Sequence, residues 1–182
     1  MSATGEISDA RFRQLSQATA LVVASVGVAV LFGWWRDVGF LKSVFPQLVS
    51  MKANTALTFT FLGLALWLLR SEDTAWVRKE RAGRWGQGLA LLAVVLAAVT
   101  LSQYLTGSDL GIDQLLFRDS GAAGTPGRMA PQTAVAFVLL GIALLLLDVR
   151  TAKGGWPSQH LACLAGFVGL SSLIGYTFGA AL

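Results

Sequence analysis

Charge is what this sequence lacks most. Of its 182 residues, 13% are Asp, Glu, Lys or Arg, 54% are hydrophobic, and mean hydropathy is +0.63. A soluble domain carries about 25% charged residues, so the deficit removes the ordinary water-soluble class. Cysteine is nearly absent as well. Cys163 has no partner in the chain, which excludes an internal disulfide framework. Histidine occurs once, at His160, three residues before Cys163 and on the same helix face. Two ligands are too few for a metal or haem iron, so neither a metal nor a cofactor is expected. The sequence contains no phosphate loop, zinc spacing, nucleophile motif or haem motif, and a non-catalytic protein is expected.

The missing charge is unevenly distributed. Residues 14–35, 53–69, 85–108, 129–147 and 154–182 contain no Asp, Glu, Lys or Arg, and together they hold 111 residues. A helix rising about 1.5 Å per residue needs roughly 20 residues to cross a hydrocarbon core of about 30 Å. The expected fold is therefore an all-α integral membrane domain over 18–182. Its spans fall near 18–35, 53–69, 86–106, 131–147 and 158–179, after a cytoplasmic segment 1–17. Ala18 to Trp35 is too long for a signal-peptide core and runs into Gly-Trp-Trp-Arg instead of a small-residue cleavage site, so it reads as a retained helix.

The net charge of +4 and a pI near 9.7 suggest nucleic acid only until the cations are located. They sit in short connections beside apolar helices, where basic charge sets topology. Nine fall on one side (Arg11, Arg13, Arg70, Arg78, Lys79, Arg81, Arg84, Arg150, Lys153) and five on the other (Arg36, Lys42, Lys52, Arg118, Arg128). The positive-inside rule then puts the N-terminus in the cytoplasm and, after five spans, Leu182 outside. Trp34, Trp35, Trp67, Trp85 and Trp156 lie near span ends, as an interfacial aromatic belt requires. The lipid bilayer is the expected partner, and nucleic acid is not.

The sequence also repeats itself. At an offset of 78, Met51–Leu69 lies over Met129–Leu147 with ten of 19 positions identical, including Met51/Met129, Thr55/Thr133, Phe59/Phe137 and Gly63/Gly141. Apolar bias gives Leu on Leu; it does not give Met, Thr, Phe and Gly in one register. Each repeated helix follows a short amphipathic segment, Val38–Phe45 or Leu110–Phe117, expected to lie in the outer interface. Pro46 ends the first segment and the turn from Ser120 to Gly127 ends the second. Pro131 suits the first turn of its helix, where a missing N–H costs nothing. Gly175–Gly179 resembles Gln103–Gly107, so the fifth span reads as the opening of a third unit. Tandem parallel hairpins are expected, two and a half of three, with a returning sixth span not contained in these residues.

Candidate functional residues cluster at the outer ends. Asp109, Asp113, Arg118, Asp119 and Arg128 form a polar group in the largest outer loop, and Asn54/Thr55 recur as Gln132/Thr133 at the mouths of the repeated helices. An outward-facing ligand pocket is one reading; Asp–Arg pairing in the loop, with polar packing between helices, is the other. Gly63, Gly141, Ala162, Gly166, Gly175 and Gly179 are expected at helix-packing surfaces, and Gly175-x-x-x-Gly179 could form a homodimer seam. No ionisable residue lies mid-span, which argues against an ion-coupled transporter.

The pattern Met-x-x-x-Thr-Ala-x-x-Phe-x-x-Leu-Gly-x-Ala-Leu-x-Leu-Leu at 51–69 and 129–147, with Leu110–Asp119, resembles the N-terminal membrane module of bacterial sensor histidine kinases and diguanylate cyclases. That resemblance covers most of residues 15–182. It implies a sensory or anchoring module in the bacterial inner membrane, non-catalytic by itself, that precedes a cytoplasmic PAS, kinase or GGDEF domain in two-component and related signal transduction. These residues contain no such output domain, and an odd span count places Leu182 on the wrong side for one. An accessory subunit among the neighbouring chains of a respiratory or photosynthetic complex is the alternative, and a small transporter the third reading.

Overall fold

A computed structural model describes residues 3–43, 50–71, 76–119 and 125–178. Every regular element in them is helical. In chain order these are α1 (Ala3–Trp35), the single turn α2 (Gly39–Lys42), α3 (Ala53–Leu69), α4 (Trp76–Thr106), a 3-10 turn at Ile112–Gln114, α5 (Pro131–Leu145) and α6 (Pro157–Thr177). Three of the helices, α1, α4 and α6, are long and apolar enough to cross a membrane; α3 and α5 are apolar but shorter, at 17 and 15 residues.

Helix limits differ from the uncharged windows where charge and helix propensity part company. Residues 1–17, expected as a segment apart from the membrane domain, are helical from Ala3 and continuous with the apolar stretch. Helix α4 likewise begins at Trp76, within the basic connection. At 33 and 31 residues, α1 and α4 reach about 50 and 46 Å, well beyond the thickness of a hydrocarbon core. Among the described residues, the two segments expected in the outer interface hold only the α2 turn and the 3-10 turn. Phe45, Pro46 and Ser120–Gly124 lie outside the described residues, as does Gly179.

The helices run up and down. Both shorter helices pack against the helix before them and the helix after them: α3 lies between α1 and α4, α5 lies between α4 and α6, and α3 also touches α5. Small residues set the spacing. Ala56, Ala65, Ala90, Ala93 and Ala97 are fully buried, and with no long side chains between them the backbones can close in. A Cβ on Gly63 would lie 2.6 Å from the Ala24 nitrogen and 2.8 Å from the Ala20 oxygen of α1. A Cβ on Gly141 would meet Val94 of α4, with the Ala90 oxygen 3.2 Å away. Around these contacts Leu62, Met129, Ala134 and Phe137 form the core, with Phe59 and Phe137 meeting edge-to-face at 5.1 Å between centroids. Phe59 and Phe137 lie 78 residues apart, the offset at which the sequence aligns with itself.

Three buried hydroxyls bond within their own helices. Thr58, Thr60 and Thr100 donate to the carbonyls of Asn54, Ala56 and Leu96, four residues back, at 2.8–3.1 Å. That is the inexpensive way to place a threonine where water is absent. At the other end of the pair, Gln17 Nε2 donates 2.8 Å to the Arg70 carbonyl, satisfying an orphan acceptor at the end of α3 and tying it to α1. The expected packing residues on α6 divide: Gly175 is buried, but Gly166 faces open space and Ala162 is exposed. Neither of the latter packs on another helix of the chain among the described residues, because α6 touches only α5 closely.

Candidate functional site

The polar site sits where the connection from α4 to α5 folds back over the ends of α3 and α4. Its centre is Arg128, whose side chain is only 7% exposed. Arg128 Nε donates 2.7 Å to Asp113 Oδ2, and Nη2 donates 3.1 Å to Gln103 Oε1. Gln103 closes the triangle: its Nε2 donates 3.1 Å to Asp113 Oδ2, and its Oε1 also accepts from the Leu110 N–H at 2.8 Å. Asp113 Oδ1 is buried and accepts no hydrogen bond among the described residues. A buried arginine is tolerable only with its partners in place, so this triangle fixes the connection against α4.

Backbone geometry makes the approach possible. Gly127 has φ +76°, in the left-handed region, and a Cβ there would collide with the Asp113 carbonyl. Only glycine combines that conformation with that contact.

A second set of bonds fixes the connection to α3. Lys52 Nζ pairs with Asp119 Oδ2 at 2.6 Å, and the Gly127 N–H donates to the same oxygen at 3.1 Å. Asp119 N–H donates 2.9 Å to Gln114 Oε1. Asn54, 4% exposed, donates through Nδ2 to the Ile112 carbonyl at 3.2 Å. Residues from the start of α3, from α4 and from the connection between α4 and α5 therefore meet in one polar layer.

Of the residues singled out from sequence, Asn54, Asp113, Asp119 and Arg128 come together here. Asp109 stands at the edge, with its carboxylate 3.5 Å from Arg128 Nη2 and mostly exposed. Arg118 is exposed and forms no ion pair among the described residues. Thr55 is buried in α3 beside the layer, while Gln132 and Thr133 are half-buried on α5 and make no side-chain hydrogen bond among the described residues. Sequence reasoning missed Gln103 and Lys52. The signal for Gln103 was present: it is an amide near the end of a 24-residue uncharged window, where a polar side chain needs a partner.

Two aromatic anchors flank the layer. Trp34 Nε1 donates 2.9 Å to the Met51 carbonyl, with Lys42 Nζ 4.5 Å from its ring centroid and Phe117 at 6.2 Å. Tyr104 donates its hydroxyl 3.0 Å to the Met129 carbonyl, with the Arg128 guanidinium 5.5 Å from its ring. Beside the first anchor, Lys42 bonds Asp37 at 2.5 Å, and this bond and the ammonium's charge hold the exposed carboxyl below its ordinary range.

Chemically, the layer ties chain segments together. Its two cations, Arg128 and Lys52, are neutralised by the largely buried Asp113 and Asp119, and among the described residues it holds no nucleophile with an adjacent base. His160 and Cys163 are both exposed on α6, at the opposite end of the molecule. The chain matches no family model, no curated protein and no solved structure.

Proposed function

We propose that this chain is a multi-pass membrane module, non-catalytic by itself, that senses or anchors at one face and is coupled through its helices to the other. In this reading α1, α3, α4, α5 and α6 are five spans, arranged as tandem parallel hairpins with α6 opening a third. The basic ends of the helices lie in the cytoplasm of a bacterium, and the polar layer lies outside the inner membrane. The uncharged windows, the excess of basic residues at one end, and the placement of Gly63 and Gly141 against the preceding helix in each pair support that arrangement. Helices α3 and α5 are short for a span, but each packs between two long helices, and a bilayer accommodates a short span by local thinning.

The observation that carries the functional half is the Arg128–Asp113–Gln103 triangle. It joins an exposed connection to α4, a helix that continues past the apolar region at its far end. A ligand or force acting on the connection would act on α4, and α4 and α1 both extend in the direction an output domain would occupy.

Spin labels placed by Arg13→Cys and Arg81→Cys in a Cys163→Ser background report the separation of those extensions. Arg128→Gln is expected to change the distance distribution between them. An unchanged distribution in a folded protein would remove the sensing role and leave only anchoring.

A further inference from the structure

An open groove of 410 Å³ runs along the half of the molecule nearest the basic end. Its walls are α1 (Thr19, Val23) and α6 (Ser158, Ala162), and its floor comes from α3 and α5. The floor residues include Leu62 with Leu140 and Leu66 with Leu144, two pairs that the 78-residue repeat makes equivalent. Among the described lining residues, Thr19, Ser158 and Gln159 are the ones with polar side chains.

We propose that this groove is the seat of a further transmembrane helix of the α3/α5 type, antiparallel to α6 and joined to it in the same polypeptide. The proposal rests on the hairpin-repeat reading above. The two returning helices share one contact pattern. Each packs on its own outgoing helix, on the next outgoing helix, and on the other returning helix. Applied to the hairpin that α6 opens, the same rule requires a helix touching α6, α1, α3 and α5. Among the described residues, those four helices and Leu147, just past the end of α5, line the groove.

The helix so placed closes a ring of three returning helices inside three outgoing ones. Its chemistry follows from the lining: an apolar segment with a small residue near its middle, because Ala20 and Gly63 already draw α1 and α3 close together. The polar layer has the same incompleteness. Asn54 on α3 holds the connection of the second hairpin, whereas its repeat equivalent Gln132 on α5 holds nothing among the described residues. A third connection would lie over Gln132 as the second lies over Asn54.

The test uses residues 1–182 in lipid nanodiscs and a synthetic peptide with the sequence of residues 129–149 as a stand-in for a returning helix. Thr19→Cys and Ala162→Cys, each in a Cys163→Ser background, place a thiol on opposite walls. The parent chain, with exposed Cys163 just off the groove, is the control. The peptide is expected to slow membrane-permeant maleimide labelling at both wall positions at least tenfold and to leave Cys163 unaffected, while a scrambled peptide of equal composition does nothing. Equal effects of the two peptides, or none from either at saturation, would overturn the proposal. So would protection of both wall thiols without peptide, by lipid or by a second copy; a copy is recognised by a disulfide-linked dimer at Thr19→Cys or Ala162→Cys. Accessibility of a thiol at Ser108→Cys and at Arg150→Cys to an impermeant reagent reports topology separately, so a failure of the five-span reading is told apart from an empty groove.

Discussion

In the α1/α3 pair, Trp34 donates to the Met51 carbonyl beneath Lys42; in the α4/α5 pair, Tyr104 donates to the Met129 carbonyl beside Arg128. An aromatic donor at the end of the first helix, a cation near its ring, and the carbonyl just before the second helix recur in both. The cations differ. Lys42 finds its carboxylate in Asp37, whose side chain is 93% exposed, whereas Arg128 finds Asp113, whose side chain is 4% exposed. One structural plan therefore yields a solvated anchor in the first pair and a desolvated lock in the second. Water screens the first and cannot screen the second, so the same chemical change should have very different consequences at the two sites.

The largest expected difference comes from removing one carboxylate at each. Asp113→Ala leaves Arg128 buried without its strongest acceptor, and breaking a buried pair in this way costs about 3–5 kcal/mol. Asp37→Ala removes an exposed partner and should leave stability almost unchanged. Unfolding in detergent micelles followed by tryptophan fluorescence measures both. Equal destabilisation would mean that Asp113 is better hydrated than its burial implies.

The glycines separate the two pairs more finely. A Cβ at Gly63 meets the backbone of α1 at 2.6 and 2.8 Å, and a helix axis must move to admit it. At Gly141 the obstruction is the side chain of Val94, which can change rotamer, and the nearest backbone atom is 3.2 Å away. Gly63→Ala is expected to cost about 1–3 kcal/mol through overpacking. At Gly141 a strain of about 1 kcal/mol is offset by the similar gain in helix propensity on replacing glycine by alanine, for a net effect near zero. Thermal unfolding of the two variants decides the matter, and a larger loss at Gly141 would reverse the assignment of the tighter crossing.

The contrast also marks how far the sequence could be read. The helices follow from uncharged runs, because apolar content over 15 or more residues is a property of the chain itself. Their starts do not: α1 and α4 continue into charged segments that no hydropathy pattern delimits. Within the polar site, Asp113, Asp119 and Arg128 stand out as charges between apolar windows. That Asp113 is buried while Asp109, four residues earlier, remains in solvent depends on Gly111 turning the chain at φ +71° and on Gln103 waiting on α4. Such pairing is set by tertiary approach across ten to 25 residues of sequence, and spacing alone does not encode it. On α6 the expected packing residues divide, with Gly175 buried and Gly166 open, for a related reason. Small residues permit close contact, but a partner helix must be there to make it, and Gly166 faces none.

The smallest expected effect is a pH dependence confined to the first pair. The hydrogen bond from Lys42, and then its charge, lower the Asp37 carboxyl below its unfolded value. A carboxyl lowered in the folded state stabilises it above the unfolded pKa, and that contribution fades as pH falls through the folded pKa. Asp37 is fully exposed, so the change in stability should be slight, while the titration itself remains measurable. Carboxyl carbon NMR of the labelled protein is expected to give a midpoint for Asp37 below that of an unperturbed aspartate, and Lys42→Gln should return it to the ordinary range. A midpoint unmoved by Lys42→Gln would mean that the ion pair does not persist in solution. The solvated anchor would then rest on the Trp34 hydrogen bond to Met51 alone, and the two hairpins would share the aromatic tether but not the paired cation.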